Sequence, residues 1–312
     1  MSQTPGAIRK PGQLRKRIWR ARYLYLLMIP GLAFYIIFRY IPLGGIILAF
    51  KNYKARLGIW GSAWVGLDHF RRMFITPRAI DAIFNTLRIN LMTLLITMPA
   101  PLILALLINE LRMPRIKKVY QTVFTFPHFL SWVIVSSLMI NLFSAHGAVN
   151  SLLVQAGGER IQFLATTSLA RPLLYFTSLW KSMGWNSIIY LAAISGIDPA
   201  MYEAATIDGA NRMQRIRYIT FPALKELLIV MVILAIGNLM DSGFEQIYNL
   251  RNAVTTNAMD TLDTYVYDIT FGTKPDYSFS AAVSLFKSAV NVILLFSSDR
   301  LSKLALGQGV FK

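Results

Sequence analysis

The sequence predicts an all-α protein that crosses a membrane six times. Of its 312 residues, 55% are hydrophobic and only 15% are charged, whereas a soluble domain usually carries about a quarter charged residues. The mean hydropathy is +0.47. This high hydropathy comes from six stretches of about 20 mostly apolar residues. About 20 residues is the length that an α-helix needs to cross the hydrocarbon core of a membrane. The predicted spans cover residues 23–43, 86–108, 119–142, 172–194, 219–240 and 279–296.

The basic residues predict how these spans are oriented. The net charge is +17, but the Lys and Arg residues cluster at the ends of apolar stretches, which is typical of cytoplasmic loops and argues against a nucleic-acid partner. The clusters lie in a tail at 1–22, after the second and fourth spans, and in a tail at 301–312. We therefore expect 23–300 to form the transmembrane domain, with both termini cytoplasmic and the first span kept as an uncleaved anchor. The loop at 51–78 is an exception, because it carries six basic residues and is assigned to the outside.

The sequence offers no catalytic or metal-binding motif. A P-loop of the form G-x-x-x-x-G-K-[S/T] is absent, and the chain contains no cysteine. Its three histidines, His69, His128 and His146, lack the spacing of metal ligands, and no serine has a positioned His and Asp for acyl transfer. We therefore expect a protein that is not an enzyme and holds no cofactor or metal, so that any energy for transport comes from a partner.

Residues 198–222, "DPAMYEAATIDGANRMQRIRYITFP", interrupt two apolar stretches with a polar loop. Asp198 is a favourable N-cap and Pro199 suits the first helical position, so a short helix is predicted to begin here. Gly209 supplies a turn, and a second helical piece leads to Pro222. Two short helices with small side chains suit docking into a groove of another protein. The alternative is an amphipathic helix whose basic residues contact lipid headgroups.

This loop resembles the EAA loop of binding-protein-dependent ABC importer permeases. The family pattern is E-A-A, three residues, G, nine residues and I-x-L-P. The residues that match at the correct spacing are Glu203, Ala204, Ala205, Gly209, Ile219 and Pro222. Phe221 stands where the family usually has leucine, a departure that keeps the position apolar.

The resemblance extends from residue 23 to the C-terminus. Its motifs are similar to those of carbohydrate-uptake type 1 permeases, in the branch that handles complex oligosaccharides and polysaccharide fragments. They read "PLGGIILAFKNY", "WVGLDHF", "PAPLILALLINE", "FPHFLSWVIV", "WKSMGWNSIIYLAAISGIDP", "FEQIYNL", "DTYVY" and "SFSAAVSLFKS".

The resemblance implies a specific assembly. The chain would be a transmembrane subunit of a type I ABC importer in the bacterial cytoplasmic (inner) membrane, surrounded by lipid and paired with a second, homologous permease. An ATPase dimer would bind ATP and Mg²⁺ below, and an external solute-binding protein would deliver the carbohydrate. The coupling helix that enters the ATPase groove would include Glu203, Ala204, Ala205, Asp208 and Gly209. The alternative is a stand-alone secondary transporter, or another membrane protein, that is not coupled to ATP.

Polar residues in and just after the fifth span are candidates for the substrate pathway. Asn238 and Asp241 are three residues apart, which places them on one face of a continuous helix. Sugars are bound by planar polar side chains together with aromatic faces, and the following stretch supplies Glu245, Gln246 and Tyr248.

Lys181 and His128 are two further candidates for the substrate pathway, because of their positive or potentially positive charge. Positive charge in an otherwise apolar tunnel suits an anionic glycan such as a uronic-acid oligomer, and Lys287 supports the same interpretation. The alternative for each polar residue is packing, because intramembrane polar groups often bond a neighbouring helix. Lys287 can also extend to the membrane interface, and the acids Asp241 and Glu245 can be solvated in a loop.

Overall fold

The computed structural model describes residues 19–241, 243–307 and 309, except for the side chains of 305 and 306. Most of the predicted tail at 1–22 and part of the predicted tail at 301–312 lie outside these residues. Within the described residues the protein is predominantly helical with almost no strand, which confirms the all-α class. Two short strands, β1 (Lys51–Asn52) and β2 (Ala63–Trp64), pair antiparallel with Lys51 opposite Trp64.

Sixteen helices follow one another along the described chain. They are α1 (Arg22–Tyr35), α2 (Gly58–Gly61), α3 (Asp68–Met73), α4 (Pro77–Thr97), α5 (Pro99–Asn109), α6 (Pro114–Thr125), α7 (Trp132–Phe143), α8 (Ala148–Gln155), α9 (Thr167–Ser195), α10 (Pro199–Ile207), α11 (Arg212–Arg215), α12 (Phe221–Gly237), α13 (Phe244–Leu250), α14 (Thr256–Met259), α15 (Leu262–Phe271) and α16 (Tyr277–Leu306). Three of them are extended by other helix types. A π-helix at Ile36–Tyr40 and a 3₁₀-helix at Ile41–Phe50 follow α1. A 3₁₀-helix at Phe126–Phe129 follows α6, and a π-helix at Ile216–Thr220 precedes α12.

Five helical segments of the described chain are long and apolar enough to cross a membrane. They are Arg22–Phe50, Pro77–Asn109, Trp132–Gln155, Arg212–Gly237 and Tyr277–Leu304. The predicted span at 172–194 corresponds to α9, which is 29 residues long but carries the polar residues Arg171, Lys181 and Asn186. Because α9 packs against α4, α5, α6 and α12, it is the central helix of the bundle. With α9, which is the fourth span in chain order, the described bundle has six spans.

The structure departs from the sequence prediction in the third span, which was expected to run unbroken over 119–142. Instead α6 ends at Thr125, a 3₁₀ turn follows, and α7 begins at Trp132. Pro127 has no backbone N–H to donate and its ring disfavours a continuous helix. The hydroxyl of Ser131 caps the new helix by accepting a hydrogen bond from the N–H of Ile134 at 3.3 Å. The segment between α6 and α7 therefore exposes backbone carbonyls inside the bundle.

The helix α9 packs closely against its neighbours. A Cβ atom at Gly184 of α9 would lie 2.0 Å from the carbonyl oxygen of Phe124 in α6, so only glycine allows the two helices to approach this closely. Further along α9, Tyr190 and Ile194 are buried against Ala105 of α5 and Leu224 of α12. This contact joins the central helix to the span that follows the polar loop.

Candidate coupling site and substrate pathway

The polar loop folds as the sequence predicts, with α10 beginning directly after its cap. The Asp198 carboxylate accepts a hydrogen bond from the N–H of Ala200 at 2.9 Å, and Pro199 occupies the first helical position. No residue of α10 is buried, and Ile207 is 87% exposed. The side chains of α10 are therefore open to contact from outside the chain.

Gly209 ends this helix in the left-handed region, with φ at +79°. No heavy atom lies within 4 Å of the position that a Cβ would take there. The requirement for glycine is therefore the backbone conformation itself, which other residues adopt only with strain. Glu203, Ala204 and Asp208 are exposed on α10 or at its end, and Ala205 is half-buried.

Hydrogen bonds hold α10 rigidly to the start of the fifth span. The hydroxyls of Tyr202 and Thr220 are 2.8 Å apart, and Arg215 donates to the hydroxyl of Thr206 at 3.1 Å. A reciprocal capping box between Asn211 and Gln214 fixes α11. Because Thr220 directly precedes α12, this contact joins α10 to that span.

A polar cleft of about 590 Å³ lies beside α10. Its walls include Glu110 and Arg112 from the loop after α5, Glu203 from α10, and Arg212 from α11. The charges of both signs are largely exposed, and Arg212 reaches Glu110 only at 3.8 Å. This side of the molecule therefore presents charged side chains that a partner can pair.

Lys181 of α9 lies beside the break in the third span, and its ammonium group is not free. It donates hydrogen bonds to the carbonyl oxygens of His128 at 2.6 Å and Leu130 at 2.5 Å. The His128 ring stacks on Trp185 of α9, with centroids 4.3 Å apart. Irregular backbone at membrane depth must find partners within the protein, and Lys181 supplies them here. The structure thus gives Lys181 a structural role at the break, and its place in the substrate pathway stays a prediction.

The helix of the fifth span ends at Gly237, short of the predicted boundary at 240, and a break in the helix separates it from α13, which begins at Phe244. The expected common helical face of Asn238 and Asp241 is therefore wrong, since that argument needs a continuous helix. Two side chains from other spans satisfy the irregular backbone. Asn90 of α4 donates to the Leu239 carbonyl oxygen at 2.6 Å, and Asn291 of α16 accepts from the Met240 N–H at 2.9 Å.

Lys287 is held by acids at the same break. Its ammonium group lies 2.6 Å from Asp241 and 2.5 Å from Asp263, and Asn291 donates to Asp241 at 3.1 Å. Lys287 is therefore neutralised within the protein and is not available to attract an anionic glycan. Asn238 is exposed and donates only to the carbonyl oxygen of Leu234, at 2.8 Å.

The remaining predicted pathway residues lie on α13 and differ in exposure. Gln246 is 7% exposed, and its amide nitrogen donates to the Leu174 carbonyl oxygen and the Thr177 hydroxyl at 2.8 and 2.7 Å. It ties α13 to α9. Tyr248 is 40% exposed, and Glu245 is exposed and interacts electrostatically with Lys181. Of the seven predicted residues, Asn238, Asp241, Glu245 and Tyr248 are exposed, and Asp241 is already paired with Lys287.

A polar stripe on α9 escaped the sequence analysis. It consists of Arg171, Tyr175, Ser178, Ser182 and Trp185, each half-buried or exposed. Their spacing of four, three, four and three residues keeps them within about 40° of Arg171 around the helix axis. A polar stripe along an otherwise apolar span faces water or protein rather than lipid. This periodicity was present in the sequence and is the signal that could have identified the stripe.

An ion cluster joins α4 and α15 to the end of α13. Arg251 contacts Asp268 at 2.7 Å and Asp260 at 3.1 Å, and Arg78 contacts Asp260 at 2.8 Å as well as Asp268. Burial raises the pKa of the Asp268 carboxyl, but hydrogen bonds from Arg251 and Arg78 outweigh burial and hold that pKa below its ordinary value. The cluster fixes the loops at this end of the bundle.

Comparison with known proteins places these features in a family. Residues 97–305 match the family described as the binding-protein-dependent transport system inner membrane component. Protein LplB of Bacillus subtilis (strain 168) is 43% identical over 293 residues, covering 94% of this chain and 92% of LplB. The chain belongs to this family. Its identity to the polygalacturonan/rhamnogalacturonan transport system permease protein YteP of the same organism is also 43%, over 97% of this chain and 94% of YteP.

Two solved structures share the fold of this family member over nearly all its length. One is a bacterial ABC transporter involved in the import of the acidic polysaccharide alginate, with a TM-score of 0.86, 34% identity, and coverage of 94% of this chain and 99% of that chain. The other is a bacterial alginate ABC transporter in complex with alginate pentasaccharide-bound periplasmic protein, with a TM-score of 0.87, 35% identity, and coverage of 96% and 100%.

Family membership confirms the main reading of the sequence. The chain is an inner-membrane permease subunit of an ABC importer and is not itself an enzyme, because partner ATPase subunits hydrolyse the ATP. A second permease and a binding protein complete the system. These findings decide against the alternative of a stand-alone transporter that is not coupled to ATP.

Proposed function

We propose that this permease imports oligosaccharides released from an acidic polysaccharide. The observation that carries the proposal is near full-length similarity to YteP, whose name specifies polygalacturonan/rhamnogalacturonan transport, and to a permease of the alginate importer. Both of these polysaccharide types contain uronic acid. The polar stripe on α9 supports the proposal, because hydroxyl and guanidinium groups match the hydrogen-bonding groups of such a glycan.

In this proposal the energy enters through α10. ATP and Mg²⁺ bind to the partner ATPase subunits, and Glu203, Ala204, Ala205, Asp208 and Gly209 form the surface that docks in the ATPase groove. The bond between Tyr202 and Thr220 passes movement of α10 to α12. The far end of α12 is the break at Asn238, so movement at the ATPase reaches the pathway along one rigid helix.

The proposed pathway runs along the stripe on α9 and past the break in the fifth span. Arg171 and Tyr175 lie at its outer part, Ser178 and Ser182 follow, and Trp185 with its stacked His128 lies deepest. Asn238, Glu245 and Tyr248 flank the pathway on the side of α12 and α13. The termini are cytoplasmic in this arrangement, and the loop that contains Ala253 is external.

The test is uptake by the complete importer, with the second permease, the ATPases and the binding protein reconstituted in proteoliposomes. Radiolabelled trigalacturonate is the acidic probe and galactotriose is the neutral control. We expect accumulation of trigalacturonate that needs both ATP and the binding protein and that stops with a non-hydrolysable ATP analogue. ATP-dependent uptake of galactotriose without uptake of trigalacturonate would overturn the acidic substrate but leave the importer assignment intact.

A further inference from the structure

Arg88 lies at the outer end of the predicted second span and has no partner in the part of the chain that the structure describes. It lies on α4, 11 residues after Pro77 where that helix begins, which is about 16 Å along the helix at 1.5 Å per residue. Its side chain is exposed and forms no hydrogen bond or ion pair with any described residue. A charge at the end of a span is stable where it faces water or an anion.

The surroundings of Arg88 make this isolation unusual. Nearby on the same face of α4 are Phe84, Leu91 and Leu95, which are 67%, 48% and 59% exposed. These apolar side chains offer no hydrogen-bond acceptor. By contrast, Arg251 and Lys287 each contact two Asp carboxylates.

A second guanidinium group lies beside Arg88. Arg171, at the outer end of the stripe on α9, donates to the side-chain oxygen of Asn85 at 2.8 Å and to the carbonyl oxygen of Ala258 at 3.0 Å. Asn85 precedes Arg88 by three residues, so the two arginines share one side of the contact between α4 and α9. Arg88 interacts electrostatically with both Arg171 and Tyr175.

The side chains around this point are therefore rich in donors. Arg88 has all its N–H groups available, Arg171 retains donors beyond its two bonds, and the Tyr175 hydroxyl bonds no described residue. The partners of Arg171 are a neutral amide and a backbone carbonyl, so no carboxylate among the described residues compensates the two positive charges. A planar guanidinium group matches a carboxylate through two parallel hydrogen bonds.

We propose that Arg88 and Arg171 form a binding site for a uronate carboxylate at the outer part of the pathway, with Tyr175 donating a further hydrogen bond. The site selects charged over neutral glycan at the point where the glycan meets the stripe on α9. This inference rests on the proposed function, because it needs a glycan to pass along α9.

The experiment uses the same reconstituted importer with two probes, trigalacturonate and its trimethyl ester, in which each carboxylate is neutralised. For each permease variant the ratio of acid uptake to ester uptake is measured with saturating binding protein. This protein is identical in every sample, so its own preference cancels between variants. We expect Arg88→Gln to lower the ratio about ten-fold, the loss expected for a charge-assisted hydrogen bond, and Arg88→Lys to restore part of it. The matched control is Arg71→Gln, which removes an 82% exposed charge that meets Asp68 only at 3.9 Å, and it should leave the ratio unchanged.

The possible outcomes distinguish failure of the proposed carboxylate site from failure of the proposed function. If the wild type moves neither probe, the proposed acidic substrate fails and the inference fails with it. If the wild type moves the acid and Arg88→Gln keeps the wild-type ratio, only the inference is overturned. Equal loss of both probes, together with loss of the second permease on purification, would instead assign the partner of Arg88 to that subunit. If the binding protein does not bind the ester, uptake of trigalacturonate alone tests the inference. That uptake must then be highest for Arg88→Lys, lower for Arg88→Gln and lowest for Arg88→Glu.

Discussion

At the scale of single residues, Lys181 shows how a charge stabilises irregular backbone inside the bundle. Its ammonium group reaches the carbonyl oxygens of His128 and Leu130, and it also lies within 5.4 Å of the Trp132 ring. The donor comes from α9, whereas His128 and Leu130 lie in the break between α6 and α7 and Trp132 is the first residue of α7. The hydrogen bonds of Lys181 therefore stabilise the break that divides the third span into α6 and α7.

Replacing Lys181 by Met should lower the stability of the purified protein. The substitution leaves buried carbonyl groups without a donor, which costs about 1–3 kcal/mol. We expect a lower unfolding temperature in detergent for Lys181→Met and a smaller loss for Lys181→Arg, which keeps donors. Lys274→Met, which alters an exposed loop lysine, is the control. An unchanged unfolding temperature for Lys181→Met would show that the carbonyls find other partners.

Asp268 should make the stability of the protein depend on pH in the acidic range. Hydrogen bonds from Arg251 and Arg78 hold its pKa in the folded protein below the ordinary value, and that of an unfolded Asp is about 3.9. A depressed pKa contributes stability that is present above the unfolded value and is lost as the pH falls through the folded value. Asp268→Asn should therefore destabilise the protein near neutral pH, and its difference from the wild type should shrink below about pH 4.

Unfolding temperatures measured from about pH 7 to about pH 3.5 check this expectation. Asp68→Asn is the matched control, because Asp68 is exposed and its contact with Arg71 spans 3.9 Å, and such surface pairs contribute little. A difference between Asp268→Asn and the wild type that stays constant across the range would contradict the assigned pKa.

Residue roles inside the spans were the hardest to predict from sequence. The sequence analysis placed Lys287 within the last span and Gln246 just after the fifth, but the partners of both lie far away in the chain. Gln246 bonds Thr177, 69 residues away, and Lys287 contacts Asp241. A sequence pattern shows that a polar group is present, but only the packed fold shows whether a neighbouring helix already satisfies it.

At the scale of elements, α10 is the part whose structure the sequence determined most completely. Its cap, its first residue and its glycine turn are local features, and all three occur where the sequence places them. The break in the third span was missed, and the end of the fifth span was placed at 240 instead of Gly237, for the opposite reason. Hydropathy stays high through Pro127 and through Gly237, and the groups that satisfy the open backbone come from Lys181, Asn90 and Asn291 on other helices.

Changes on α10 should uncouple ATP hydrolysis from transport. Glu203→Ala removes an exposed charge from the docking surface and should weaken contact with the ATPase by about 1–3 kcal/mol if its partner is a buried donor. Gly209→Val forces a β-branched residue into a left-handed backbone and should distort the end of α10 by a strain of roughly 1–2 kcal/mol. We expect reduced uptake and reduced stimulation of ATP hydrolysis by the loaded binding protein, with normal insertion into the membrane.

Both activities are measured in the same proteoliposomes, so that assembly and coupling are judged together. Arg115→Ala is a suitable control, because it removes an exposed charge at the start of α6 without changing α10. Normal uptake together with normal stimulated hydrolysis in both α10 variants would remove this helix from the coupling role.

At the scale of the whole molecule, contacts between distant segments hold the two ends of the bundle. At one end, Arg78 and Asp260 are joined across 182 residues of sequence. At the other end, Tyr190 and Leu224 pack beside Ala105 in one buried cluster. The sequence predicted the spans that separate these ends, because span length and apolar content are local properties. It could not predict the contacts within each end, which depend on how the spans pack.

The orientation of the molecule in the membrane is the last prediction, and the chain offers a clean test because it contains no cysteine. Basic residues after α5 and around α11 favour the cytoplasm, whereas the segment after the fifth span is poor in them. A single cysteine at Ala253, which is exposed, should react with a membrane-impermeant maleimide from outside intact cells. A single cysteine at Arg112, also exposed, should react only after the cells are opened. The reverse pattern would place α10 outside, where no ATPase could reach it, and would overturn the coupling role together with the topology.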